Sequence, residues 1–156
     1  MARTQRKSKR KTRAPSVSKA AKAARKTMQP PALVIATRED RVLYSNVVTA
    51  RPGRLVFIAG QLSRDQGGNI VGKGDMRAQI RQVCENIKAA VTAAGGTLGD
   101  LVRTNTFTTD IEEFRKHWDV RTDYFGVDPP TSTTVEVRRL AFADCLVEID
   151  AIAVIA

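Results

Sequence analysis

The chain has 156 residues, 42% hydrophobic and 27% charged, with 26 Lys/Arg against 16 Asp/Glu and a formal net charge of +10. That length suits one domain of roughly 100 to 150 residues and leaves no room for a second core, while the composition excludes a wholly disordered or collagen-like polymer. The charge is uneven: residues 1–30 hold 11 of the basic groups and no acid, so the rest of the chain sets 15 basic groups against all 16 acids, a net of −1.

Residues 1–30, MARTQRKSKRKTRAPSVSKAAKAARKTMQP, repel one another and have almost no bulky apolar side chains to bury, so a disordered tail is expected. The stretch 19–27 has helix-forming composition but is too short and too charged to be a stable helix alone. Pro30 and Pro31 mark the join, giving a disordered basic tail over 1–31 and a folded domain over 32–156. The tail's cations suit a loose, salt-sensitive contact with nucleic acid or another anionic partner, and the lack of interleaved aromatics speaks against reading a base sequence. The order Ala2-Arg-Thr4, Arg6-Lys-Ser8, Ala14-Pro15 and Lys22-Ala-Ala-Arg-Lys26 resembles a core-histone tail, and the acid-free Arg/Ser/Ala composition resembles an organelle transit peptide. No apolar run reaches the roughly 20 residues that span a bilayer, and no hydrophobic segment follows the basic start. A soluble cytoplasmic protein without membrane contact is expected, with an organelle or the nucleus as the alternatives the tail suggests.

From Arg41 the pattern turns to short β-type runs, 42–49 and 55–59, separated by Arg-Pro-Gly at 51–53 and read as a hairpin. A loop is expected over 65–74. Asp75 can cap a helix in which Met76, Ile80, Val83, Ile87, Val91 and Ala94 form one apolar stripe ending at Gly95-Gly96. Residues 101–108 read as a strand. Asp110 and Glu113 make a capping-box-like start to a second helix, with Phe114, Trp118 and Phe125 on one face and a stop over 126–130. Two strands, 133–137 and 145–155, close the chain.

The order of strands and helices predicts an α+β fold, with two helices on one face of a mixed sheet. In the last strand Val147, Ile149, Ala151, Ala153 and Ile155 suit the helix side, while Leu146, Glu148, Asp150, Ile152 and Val154 mix carboxylates with aliphatics on the other. That second face suits a subunit contact bordering a polar cleft, so oligomerisation is expected.

Few residues offer independent chemistry. Cys84 and Cys145 are far apart with no CxxC spacing, and His117 is the one histidine, so neither a metal site nor a Ser-His triad around Ser63 or Ser132 is expected. Both cysteines read as reduced, packed thiols, and His117 as a surface residue.

Several stretches together resemble the RidA (YjgF) family over residues 42–155: Tyr44-Ser45, Leu55-Val-Phe-Ile-Ala-Gly-Gln61, the helix from Gln82 to Ala94, Val102-Arg-Thr-Asn-Thr-Phe107, Thr133-Thr-Val-Glu-Val137 and Leu146-Val-Glu-Ile-Asp-Ala-Ile-Ala153. The resemblance implies a chorismate-mutase-like subunit in a homotrimer with a central barrel and clefts shared between neighbours. It also implies cofactor-independent, metal-free hydrolysis of enamines or imines derived from amino acids. Tyr44 then matches the cleft tyrosine, Gly60 the glycine whose backbone approaches the ligand, and Glu148 the glutamate that would hold water. Ser132 in Pro130-Thr-Ser-Thr-Thr-Val-Glu-Val137 stands where deaminating members carry an arginine that grips the substrate carboxylate. Arg138 and Arg139, just beyond the end of that strand, and Arg103, near the start of its own, are the candidate substitutes. An altered substrate is expected, or else a non-enzymatic binding protein of the ribonuclease or translation-inhibitor type whose tail engages nucleic acid.

Overall fold

The structure is a computed structural model that describes residues 25–156. The expectations for 1–24 lie outside the described residues.

The longest helix, α1 (Met76–Ala93), forms where the apolar stripe predicts it. Asp75 caps it by accepting a hydrogen bond from the Ala78 backbone N–H at 3.0 Å. Gly95, at φ +83°, lets the chain turn back so that the Gly96 N–H reaches the Val91 carbonyl at 2.9 Å. Its Met76, Ile80, Val83, Cys84, Ile87 and Val91 are buried against a four-stranded sheet.

That sheet has the order β5-β8-β6-β7, where β5 is Arg54–Leu62, β6 Leu101–Thr108, β7 Thr131–Glu136 and β8 Val147–Ile155. β6 and β7 run parallel and the other pairs antiparallel, so the mixed α+β architecture holds. Val147, Ile149, Ala151, Ala153 and Ile155 all face the core, as their alternation predicts. The opposite face is open: Leu55 is 53% and Phe57 72% exposed, and they pair with Val154 and Ile152.

Three expectations are corrected. The hairpin joining 42–49 to 55–59 does not form: β4 (Val47–Ala50) pairs with β1 (Arg25–Met28), while β5 pairs with β8. Pro52 fixes a negative φ and Gly53 does not adopt a positive one, so the primed turn that a tight hairpin needs is missing. The tight hairpin instead joins β2 (Thr37–Arg38) to β3 (Arg41–Val42) through Glu39 and Asp40, both at positive φ. Second, strand β1 falls within the stretch assigned to the tail, so the folded unit already includes Arg25 to Met28. The Arg25 guanidinium donates to the Gly99 and Asp128 carbonyls, and Thr27 Oγ1 donates to Asp128 Oδ1 at 3.1 Å. Third, the second helix is broken at His117 into α2 (Ile111–Lys116) and α3 (Trp118–Phe125). Asp110 still caps α2, accepting from the Glu113 N–H at 2.8 Å, but the Glu113 carboxylate turns to Lys116 and His117 instead of back to the cap.

Candidate functional site

The four residues singled out in the sequence fall into two groups on opposite faces of the sheet. Ser132 lies on β7 opposite Thr104 of β6 and faces the helices, with Thr104 Oγ1 3.2 Å from its Oγ. Glu148 lies on β8 between core-facing Val147 and Ile149, and so points to the open face.

Ser132 and Tyr44 line one cavity of about 870 Å³ between the edge strand β7, helices α2 and α3, and the β2–β3 hairpin. Tyr44 is held through its backbone: Gln29 Nε2 donates to the Tyr44 carbonyl at 3.1 Å, while Gln29 Oε1 accepts from the Asn46 backbone N–H at 3.1 Å. Buried Ser45 next to it donates to the Pro129 carbonyl at 2.6 Å, tying this segment to the start of β7. Leu43, Ile111, Phe114 and Trp118 give the cavity apolar walls, and Arg38, Arg115, Lys116 and Arg121 set four cations against the single carboxylate of Glu112. Such a lining favours an anionic ligand with an apolar body.

Arg121 is the residue the sequence reading missed. Its Nη2 donates to Ser132 Oγ at 3.0 Å, and its guanidinium carbon lies 5.4 Å from the Phe125 ring centroid and 5.8 Å from that of Phe114. Its Nε is enclosed without a hydrogen-bond partner, and among the described residues no carboxylate forms an ion pair with it. Burial pushes its pKa down, against a smaller opposing influence of Cys84. A signal was available: 114, 118, 121 and 125 share helical spacing, so a cation stands in the apolar stripe of the second helix. Arg138, Arg139 and Arg103, the substitutes expected from sequence, do not line this cavity. Arg103 instead donates to Asn105 Oδ1 of its own strand at 3.1 and 3.3 Å.

Gly60 and Glu148 are next to each other on the other face. The pairing of β5 with β8 shifts register between Ile58 and Gln61, a bulge that falls at Gly60. A Cβ at Gly60 would stand 1.9 Å from Glu148 Oε1, so only glycine leaves the carboxylate its place over the strand. Phe107 of β6 sits beside Glu148 in register, and two residues along Asn105 donates to Asp150 Oδ1 at 2.9 Å. A single subunit thus does not bring Glu148 and Gly60 to the cavity of Tyr44 and Ser132.

Cys84 and Cys145 are free and buried, and burial pushes the Cys84 thiol up to about 12, which favours the neutral thiol at neutral pH. Among the described residues no three His, Cys, Asp or Glu cluster as metal ligands, and no helix is long and apolar enough to cross a membrane.

Comparison with known proteins agrees with this architecture. The family model described as Endoribonuclease L-PSP matches residues 37–155. A RutC family protein of Pyrococcus horikoshii is 43% identical over 110 residues, covering 70% of this chain and 85% of its own length. Among solved structures, the Rid family protein YyfB of Yersinia pestis superposes with a TM-score of 0.74 at 29% identity, covering 85% of this chain and 99% of its own. Escherichia coli TdcF, solved with bound serine, is 37% identical with a TM-score of 0.61, covering 67% and 83% of the two chains. With the family model spanning the whole sheet and both helical segments, the chain belongs to the RidA (YjgF) family.

Proposed function

We propose that this chain is a homotrimeric RidA-family protein that binds a small anionic molecule in clefts between subunits and hydrolyses a reactive enamine or imine there. The observation that carries the reading is the separation of the two half-sites. Tyr44 and Ser132 open on the edge of the sheet, Gly60 and Glu148 lie on its open face, and that face exposes Leu55 and Phe57. Packing the open face of one subunit against the edge of the next covers the apolar side chains and carries Glu148 to the neighbour's cavity.

In that arrangement the protein has modest chemistry to perform. An imine carbon is already electrophilic, so Glu148 needs only to accept a proton from a positioned water as the water's oxygen bonds to that carbon. The proton then passes to nitrogen to give a carbinolamine, whose hydroxyl proton moves through Glu148 to nitrogen as the carbon–nitrogen bond breaks, releasing ammonia and a carbonyl compound. Every step uses side chains of this chain and water. The backbone at Gly60, with no side chain to intervene, can approach the ligand closely.

The test is to generate imines from a panel of amino acids in the presence of the purified protein and measure ammonia release. We expect release above buffer for at least one anionic imine, and a loss of about 100-fold or more in rate for Glu148→Gln, which keeps size and removes the base. No release above buffer across the panel, or an unimpaired Glu148→Gln, would contradict the hydrolase reading.

The second reading, that the basic tail engages nucleic acid, draws its support from the 11 cations and absent acids of residues 1–30. Affinity that falls steeply with added salt, and vanishes when the tail is removed, is its expected mark.

A further inference from the structure

Tyr44 walls the cavity, yet it stands in the irregular stretch between β3 and β4, where no strand ladder holds it. Residues 44–46 are instead tied from two sides. On one side Ser45 donates through Oγ to the Pro129 carbonyl at 2.6 Å and through its backbone N–H to the Pro130 carbonyl at 3.2 Å. On the other stands a single side chain, Gln29, whose amide spans the segment. Its Nε2 donates to the Tyr44 carbonyl at 3.1 Å, while its Oε1 accepts from the Asn46 backbone N–H at 3.1 Å and from Asn46 Nδ2 at 2.8 Å. Among the described residues no other hydrogen bond holds Tyr44, so the place of its ring in the cavity follows from the main chain that Gln29 fixes.

The register explains how Gln29 arrives there. β1 and β4 pair antiparallel with Met28 opposite Val47, so the next step sets Gln29 opposite Asn46. An amide carries an acceptor and two donors on one planar group, which lets it bind a carbonyl and an N–H of the same short segment as a neighbouring strand would. β1 is itself anchored, by Arg25 to the Gly99 and Asp128 carbonyls and by Thr27 to Asp128 Oδ1. Gln29 also precedes residue 37, where the match to the family model begins, so this support comes from a segment outside the matched domain.

We propose that Gln29 is a positioning residue of the cleft: it sets how closely Tyr44 meets the ligand and leaves the chemistry to Glu148. The proposal rests on the reading of this cavity as the ligand cleft and adds to it the residue that tunes affinity there. Gln29 does not line the cavity, so its effect passes through Tyr44. Its loss weakens the hold on ground state and transition state alike, which raises KM and spares kcat.

The probes are the imine of leucine, as substrate, and α-ketoisocaproate, the keto acid that its hydrolysis releases, as a stable ligand titrated calorimetrically into the full chain. Leu43, Ile111, Phe114 and Trp118 suit their aliphatic body. Gln29→Met should raise KM and weaken the keto acid by about three- to tenfold, the effect of one neutral hydrogen bond, with kcat changed by less than about twofold. Gln29→Glu keeps the acceptor for Asn46 but loses the donor to Tyr44, and should weaken the keto acid as Gln29→Met does. Thr27→Val removes the hydrogen bond from β1 to Asp128 without touching residues 44–46, and should melt lower yet bind the keto acid as the wild type does. Tyr44 and Tyr124 are the two tyrosines of the chain, so with isotope-labelled tyrosine rings Gln29→Met should move the Tyr44 resonance and leave that of Tyr124 in place.

Unchanged keto-acid affinity in Gln29→Met, wild-type affinity in Gln29→Glu, a weakening in Thr27→Val as large as in Gln29→Met, or an unmoved Tyr44 resonance would each overturn the proposal. A wild type that does not bind the keto acid would overturn it together with the cleft reading. Keto-acid binding that depends on Gln29 without imine hydrolysis would sink the hydrolase reading alone; hydrolysis with an unchanged KM in Gln29→Met would sink the positioning role alone.

Discussion

Two arginines of this chain, Arg77 and Arg121, use the same functional group in opposite ways. Arg77 on α1 forms a two-pronged ion pair with Asp119 of α3, Nη1 to Oδ1 at 3.0 Å and Nη2 to Oδ2 at 2.6 Å, in a partly exposed setting where water screens the gain. Arg121, two residues further along, has no such partner among the described residues and donates to the Ser132 hydroxyl instead. The first pair is structural, and its pH dependence follows from its chemistry. The hydrogen bonds from Arg77 hold the Asp119 carboxyl below the usual carboxylate range. A carboxyl with a depressed folded-state pKa contributes stability above its unfolded value, about 3.9, and loses it as the pH falls through the lower folded value. Asp119→Asn should therefore melt lower than the wild type at pH 7, and the gap should close as thermal melts are repeated down to about pH 2. A gap that stays constant with pH would mean that the ion pair is not its cause. At this scale Glu148, Tyr44 and Gly60 could be nominated from the sequence because each stands within a recognisable stretch of residues. Arg121 could not, because its side chain reaches Ser132 from a helix packed over the strand and not from the strand's own sequence.

Among the elements, α1 and β8 were legible because their burial follows a local period. Every third or fourth residue of α1 meets the sheet, and every second residue of β8 meets the helix. The pairing of β4 was not legible. Its partner, β1, reads Arg-Lys-Thr-Met, a charged and nearly apolar-free run whose β structure comes from contacts about 20 and more residues away. Arg25 fixes it to the Gly99 and Asp128 carbonyls, and Gln29 just beyond it supports Tyr44 and Asn46. This makes the short strand a brace for one wall of the cavity. A chain beginning at residue 25 should therefore melt above one beginning at residue 32, by several degrees if two or three such hydrogen bonds of about 1 kcal/mol each are lost. Equal melting of the two truncations would show that β1 contributes nothing to the domain.

For the whole molecule, the decisive feature is a sheet covered by helices on one side only. Its open face carries Leu55, Phe57, Ile152 and Val154 at one end and Glu148, Asp150 and Asn105 further along. Exposed apolar side chains grouped beside a carboxylate and a bulge are the composition of a subunit contact that borders a polar cleft. The alternation along β8 made this face visible in the sequence and gave the expectation of a subunit contact there. If three copies close on this face, Phe57 becomes interface core, and a charge placed there should dissolve the assembly without disturbing the helix side. The most direct measurement is the molecular mass in solution by sedimentation equilibrium at micromolar concentration. Three times the 17.1 kDa chain mass is expected for the wild type, and a single chain mass for Phe57→Asp. A wild-type protein that sediments as one 17.1 kDa chain would leave Glu148 on the far side of the sheet from Tyr44 and Ser132, and would contradict the shared cleft.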